Sequence, residues 1–149
     1  MSNQDYLQMV KVFVHTDTRY PVNRKIIRRA VIDTFKKNEI ENIDAEVSVA
    51  VVGRRKMKEL ANKFFGDSAC HEVLSFPFED VSNTSISGRL PAGRQGFINP
   101  PDGILRFGDV VLSWPEVLLA AGRDNVMVDE ELYLLTSHGV EHLLGEHHE

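Results

Sequence analysis

The sequence predicts one α/β (α+β) domain, in which a single mixed sheet of about four strands is packed by about four helices. Segments of alternating apolar and polar residues, typical of strands, are interleaved with segments of helical periodicity. The chain has 149 residues, of which 42% are hydrophobic, and a chain of this size and composition can bury one core. We therefore expect one domain over residues 1–149.

The first half of the chain is predicted to alternate between strands and helices. The expected elements are a strand at Val10–His15, a helix after Pro21 capped by Asn23, a strand at Ala45–Val52 and a helix at Arg54–Phe65. In the second helix the apolar residues recur on one stripe, which we expect to face the core. They are Met57, Leu60, Ala61 and Phe64.

The second half is predicted to contain two strands and two helices. The expected elements are a strand at Val73–Phe76 stopped by Pro77, a strand at Phe107–Leu112, a helix from Ser113 to Gly122 and a helix at Asp129–Leu144. Ser113 and Glu116 have the spacing of a capping box. Residues 79–106 are rich in Ser, Gly, Pro and Asn, and a connection of this length is typical of a mobile flap. Arg89 and Arg94 within it can reach a bound phosphate.

Charge and cysteine content limit the classes of function. The formal net charge of −5 argues against a general nucleic-acid binder, but twelve Lys and Arg lie between Arg19 and Lys63, against six Asp and Glu. A basic first half can present a face that attracts phosphate. Cys70 is the only cysteine, which excludes an intrachain disulfide and a thiolate zinc cluster. The apolar runs are too short for a membrane span and no signal segment is visible, so we expect a cytoplasmic protein.

Three histidines close to the C-terminus have the spacing of a metal site. His138 and His142 are four residues apart on the last predicted helix, so their side chains lie on one face in consecutive turns. Gly145 can end this helix and let the chain turn back, which brings His148 towards the same ion. Three imidazoles on a tetrahedral ion leave one position for water, as in a catalytic zinc site. The alternatives are hydrogen-bonded core histidines and, for the terminal ones, an expression tag.

The residue after the first histidine separates this pattern from that of a peptidase. Metzincin peptidases carry a glutamate there as general base, whereas this chain has Gly139. Glu141 or Glu146 would have to act as a displaced base. A zinc peptidase-like metallohydrolase is therefore the second interpretation.

Three blocks of the sequence resemble the YbeY family, the bacterial endoribonucleases of ribosomal RNA maturation. The block His138-Gly139-x-x-His142-Leu143-x-Gly145-x-x-His148 is similar to the family motif H-G-x-L-H-L-x-G-Y-D-H. Glu72–Pro77 resembles T-D-V-L-S-F-P, and Phe107–Ser113 resembles L-G-D-I-V-I-S. The three blocks also occur in the family's order.

The resemblance implies a zinc-dependent, single-strand-specific endoribonuclease acting at the 3′ end of small-subunit ribosomal RNA and in ribosome quality control. It implies one zinc ion per chain on His138, His142 and His148, and single-stranded RNA and the small ribosomal subunit as partners. Phe65 stands where the family usually has an arginine that helps to handle RNA. Because phenylalanine cannot bind phosphate, another cation must serve or the activity is weakened. The candidate cations are Arg54, Arg55, Arg89 and Arg94.

Three further residues are candidates for catalysis. His71 can act as acid or base, or can be a surface turn histidine. Asp109 can orient a ligating imidazole, or can form a turn at the start of its strand. Glu141, which replaces a leucine of the family motif, is the candidate for a displaced base. A third interpretation is a non-catalytic ribosome-assembly factor that keeps zinc for stability and has lost RNA cleavage through Phe65.

Phenylalanines near the predicted cleft offer another way to hold RNA. We expect RNA to lie between the last helix and the Val73–Pro77 strand, and single-stranded RNA is often bound by stacking of its bases on aromatic rings. The rings available there are Phe64, Phe65, Phe76 and Phe78. The alternative is that all four belong to the core.

Overall fold

The computed structural model describes residues 10–40, 43–78 and 103–145, which form an α/β fold of four strands and four helices. The elements are β1 (Val10–Thr16), α1 (Arg24–Lys37), β2 (Ala45–Val52), α2 (Arg54–Phe65), β3 (Val73–Pro77), β4 (Leu105–Ser113), α3 (Trp114–Asp124) and α4 (Val128–Leu143). The predicted fold class and the order of elements are confirmed. Among the described helices, none has the length and apolar character needed to cross a membrane.

The strands form one mixed sheet in the order β1-β2-β4-β3. β1, β2 and β4 are parallel, whereas β3 pairs antiparallel with β4 at the edge. Pro77 at the end of β3 is compatible with this position, because an edge strand needs ladder hydrogen bonds on one side only. The edge strand β3 and its neighbour β4 are the two strands against which α4 packs.

A single glycine allows β3 and β4 to pair closely at one end. Gly108 has a φ of 132°, and a Cβ atom there would lie 2.3 Å from the carbonyl oxygen of Phe76. Neither the backbone conformation nor the space is available to another residue. The close approach of the two strands therefore requires glycine at position 108.

The core lies between the sheet and the helices α1 and α4. Val47, Val49 and Val51 of β2 are buried, and α1 and α4 pack against each other. An edge-to-face contact between Phe35 of α1 and Phe107 of β4, with ring centroids 5.2 Å apart, fills the space between helix and sheet. This core holds α4 firmly across the sheet.

The helix boundaries confirm one predicted cap and correct another. The Asn23 side chain accepts hydrogen bonds from two backbone N–H groups of the first turn of α1, as predicted. Ser113 occupies the N-cap position of α3 as predicted, but the predicted capping box is wrong: no side-chain cap bond is present, the Ser113 N–H donates to the Glu72 carbonyl, and Glu116 pairs with Arg54. Position 113 is still part of β4, so its backbone serves the sheet.

Other boundaries differ by a few residues. α3 continues past Gly122 to Asp124, because Asn125 adopts the left-handed conformation and ends the helix. β4 begins at Leu105, inside the segment predicted as a loop. Residues 79–102 of the flap predicted at 79–106, with Arg89 and Arg94, lie outside the described residues, as do Glu146 and His148.

Candidate active site

His138 and His142 converge on one point beside α4. Their Nε2 atoms are 3.0 Å apart, and their ring centroids are 4.4 Å apart with the planes at 75°. Two nitrogens bound to one tetrahedral zinc ion at about 2.0–2.1 Å are about 3.3 Å apart. A small side-chain rotation therefore allows both nitrogens to bind one ion. Imidazole nitrogens are also common ligands of zinc.

The third predicted ligand, His148, lies outside the described residues. Within residues 10–40, 43–78 and 103–145, no group of three metal-ligating side chains occurs. The structure therefore brings two of the three predicted ligands together. His138 is exposed and His142 is half-buried, so solvent reaches the point where their nitrogens meet.

Two residues that the sequence reasoning did not single out for this role hold α4 against the sheet. Gly139 is buried, and a Cβ atom there would lie 2.6 Å from Cγ1 of Val110 and 3.1 Å from Cγ2 of Val73. The Ser75 hydroxyl donates a hydrogen bond of 2.8 Å to the Gly139 carbonyl. Both residues belong to blocks of the family resemblance, and that was the available signal.

The close approach of α4 to β3 forms a cleft of about 390 Å³ that contains both histidines. This confirms the predicted cleft between the last helix and the Val73–Pro77 strand. Its lining comprises Phe65, Val73, Leu74, Ser75, Pro77, His138, Gly139 and His142. The cleft is thus mostly apolar, with its polar groups concentrated at the histidine pair.

Phe65 and its aromatic neighbours are exposed beside this cleft. Phe64 and Phe65 are each 55% exposed and Phe78 is 44% exposed, so the predicted burial of Phe64 is wrong. Met57 and Ala61, which share its stripe, are buried as predicted. Phe64 is exposed because the last turn of α2 contacts Phe76 of the edge strand, where the sheet ends, and does not contact the core.

The predicted phosphate-binding arginines of α2 lie in a different depression. Arg54 forms an ion pair of 3.0 Å with Glu116. Arg54 and Arg55 line a second cleft of about 600 Å³, together with Lys58, Glu59, Asn62 and Ser68. Neither arginine lines the histidine cleft.

His71 and Glu141 have other partners. The Nε2 atom of His71 lies 2.7 Å from the Asp67 carboxylate in the turn before β3, where the Ala69 N–H and, to a smaller extent, His71 lower the pKa of Asp67. Glu141 forms an ion pair of 3.0 Å with Lys37 of α1. His71 does not line the cleft, and Glu141 lies in the adjoining groove between α1 and α4.

Asp109 is not brought to the histidine pair. Strand alternation places its side chain on the opposite face of the sheet from Val110, the residue that meets Gly139. Partial burial raises the pKa of the Asp109 carboxyl, and the nearby His15 of β1 opposes this shift. The described contacts therefore give no support to a role for Asp109 in orienting a ligating imidazole.

Comparisons with known proteins agree with the three sequence blocks. The profile of the family described as "Endoribonuclease YbeY" matches residues 14–149. The Endoribonuclease YbeY of a Dehalococcoides mccartyi strain is 28% identical over 141 residues, covering 94% of this chain and 84% of the relative. That of Frankia casuarinae is 34% identical over 122 residues, covering 82% and 54% respectively.

A solved structure is similar in fold. The solution structure of a Thermotoga maritima protein matches with a TM-score of 0.53 at 23% identity, covering 95% of this chain and 75% of that one. The similarity supports the α/β arrangement of the described elements.

Proposed function

Because this chain belongs to the YbeY family of endoribonucleases, we propose that it is a zinc-dependent, single-strand-specific endoribonuclease that acts in the maturation of small-subunit ribosomal RNA. The observation that carries the zinc dependence is the convergence of the His138 and His142 Nε2 atoms in an open cleft. We further propose that the protein acts in the cytoplasm, on the small ribosomal subunit, and contributes to ribosome quality control.

Each part of the site has a separate task in this proposal. His138, His142 and His148 would hold zinc, and zinc would supply a Lewis acid that polarises a phosphoryl oxygen and lowers the pKa of water to about 7. Ser75 and Gly139 keep α4 at the sheet edge, so the histidine pair faces the cleft. The single-stranded RNA lies along the cleft, between α4 and β3.

The packing of Gly139 disfavours the peptidase interpretation. In a metzincin the residue after the first histidine carries the general base. Here that position faces Val110 at a distance too short even for a methyl group. Glu141 is paired with Lys37 in the neighbouring groove, so it does not supply a base in the histidine cleft.

Cleavage of RNA and of protein by the zinc-loaded protein tests the proposal. We expect a 5′-labelled single-stranded RNA oligomer to be cut, and a duplex and labelled casein to remain intact. Cleavage should be abolished by a chelator and by His142→Ala. The matched control is His15→Ala, since the His15 side chain also reaches solvent but lies on β1, at the opposite edge of the sheet.

The other outcomes identify the rival functions. Chelator-sensitive cleavage of casein would favour the peptidase. No cleavage of either substrate, with tight binding to the small ribosomal subunit, would favour a non-catalytic assembly factor. RNA cleavage that survives both the chelator and His142→Ala would contradict the zinc site.

A further inference from the structure

We propose that Phe64, Phe65 and Phe76, together called the aromatic cluster, form a stacking platform that binds bases of single-stranded RNA beside the histidine cleft. The inference rests on the proposed function in that the substrate is RNA. It goes beyond that function by proposing that the Phe65 ring positions a base of the RNA. The arginine of the family motif would instead contact RNA through its charge.

Two rings of the cluster, those of Phe64 and Phe65, are more than half exposed. The Phe65 ring is tilted by 34° against Phe76 with centroids 5.6 Å apart, and Phe64 meets the same ring at 70° and 5.3 Å. Phe76 is half-buried and supports the other two, each of which is 55% exposed. Rings held by a partner on one side lose little conformational freedom when a base stacks on the other.

The position of the cluster relates it to the site. Phe65 lines the same cleft as His138 and His142, so a base stacked on Phe65 places its backbone along that cleft. Three of the exposed large apolar side chains of the described residues, Phe64, Phe65 and Phe78, lie in this one region at the end of α2 and β3. Exposed aromatic residues grouped in this way mark a binding surface.

The charge around the cluster favours RNA as the occupant. α2 as a whole carries five Lys or Arg and one Glu, although Arg54 and Arg55 at its start line the separate depression. The Nζ atom of Lys63 lies 5.2 Å from the centre of the Phe64 ring. Aromatic rings that accept bases, next to cations that attract the backbone, are the combination by which proteins bind single-stranded nucleic acid.

Binding measurements separate stacking from charge. The affinity for a fluorescein-labelled single-stranded RNA decamer is measured by anisotropy at several salt concentrations, for the wild type and for Phe65→Ala, Phe65→Leu and Phe65→Arg. Phe13→Ala is the matched control, because Phe13 is also exposed but lies on β1 at the far edge of the sheet. Circular dichroism verifies that each variant is folded.

We expect Phe65→Ala and Phe65→Leu to weaken binding about tenfold, since stacking on one ring accounts for a change of this order. The salt dependence should remain that of the wild type, because no phosphate contact is lost. Phe65→Arg should recover affinity at low salt, with a log–log salt slope steeper by about 0.7. Phe13→Ala should bind like the wild type.

Three results of the binding measurements would overturn the platform. They are wild-type affinity in Phe65→Ala, full affinity in Phe65→Leu, and no measurable binding of RNA by the wild type. If Phe65→Ala lost binding to the small ribosomal subunit while its binding of naked RNA stayed unchanged, the platform would also be overturned. That result would indicate a protein-docking surface. A cleavage assay distinguishes the two proposals. RNA binding that depends on Phe65 but is not followed by cleavage contradicts only the proposed nuclease activity. Cleavage with an unchanged KM in Phe65→Ala contradicts only the proposed stacking platform.

Discussion

Replacing Gly139 by alanine tests whether the histidine helix depends on close contact with the sheet. The added Cβ would lie 2.6 Å from Cγ1 and 3.3 Å from Cγ2 of Val110, and 3.1 Å from Cγ2 of Val73. Overpacking of this kind costs about 1–3 kcal/mol. Removing a glycine from the helix interior returns about 1 kcal/mol. We therefore expect the free energy of unfolding to fall by up to about 2 kcal/mol.

Urea denaturation followed by circular dichroism measures this change. Gly122→Ala is the matched control, since Gly122 is also helical but nothing lies within 4 Å of its added Cβ, and it should be neutral or stabilising by up to about 1 kcal/mol. In a Val110→Ala background the cost of Gly139→Ala should be smaller, because both Val110 methyl groups are gone and only Cγ2 of Val73, at 3.1 Å, remains close. If Gly139→Ala stabilised the protein as Gly122→Ala does, the close contact between α4 and β4 would be refuted.

Three other substitutions test the elements around the site. Ser75→Ala removes the hydrogen bond to the Gly139 carbonyl and should lower the free energy of unfolding by about 1 kcal/mol in urea denaturation; no change would mean that this bond does not hold α4. Gly108→Ala should lower the free energy of unfolding by more than about 2 kcal/mol, because its φ is 132° and the added Cβ would lie 2.3 Å from the Phe76 carbonyl oxygen. The control Gly103→Ala should lower it less, because Gly103 has a positive φ but no atom within 4 Å of the added Cβ. Glu131 is 5% exposed, its Oε1 has no hydrogen-bond partner within the described part of the chain, and burial, followed by the charge of Asp124, raises its pKa above the ordinary 4.5. The folded state thus holds the proton more tightly than the unfolded one, so the free energy of unfolding falls as pH rises from the unfolded to the folded pKa. The Glu131→Gln variant should be more stable than the wild type at pH 7 by about 1 kcal/mol, and its free energy of unfolding should not show this decline with pH. An equal decline in both proteins would contradict the assignment.

The strands and helices were predictable where the pattern of side chains is decided locally. β2 occupies the predicted range because its buried residues, Val47, Val49 and Val51 among them, alternate with less buried ones, and Asn23 caps α1 through contacts with its own neighbours. The capping box of Ser113 failed because its two partners are engaged by residues distant in sequence: the Ser113 N–H donates to the Glu72 carbonyl just before β3, and Glu116 pairs with Arg54. A short motif carries no information about such a partner.

The site was predictable in its ligands and not in its surroundings. The spacing of His138 and His142 was sufficient to place their nitrogens together, because one helix carries both. The exposure of Phe64 was missed, because it depends on where the sheet ends. The order β1-β2-β4-β3 inserts an antiparallel edge strand under the end of α2, and helical periodicity cannot reveal this arrangement.

X-ray absorption at the zinc edge of untagged, zinc-loaded protein tests the central claim most directly. The account predicts one zinc per chain with about three imidazole nitrogens at about 2.0–2.1 Å and at least one further light-atom ligand. His142→Ala should lose one imidazole from this shell, whereas His15→Ala should keep all three. Much less than one equivalent of zinc, or a shell without imidazole that His142→Ala leaves unchanged, would contradict the account.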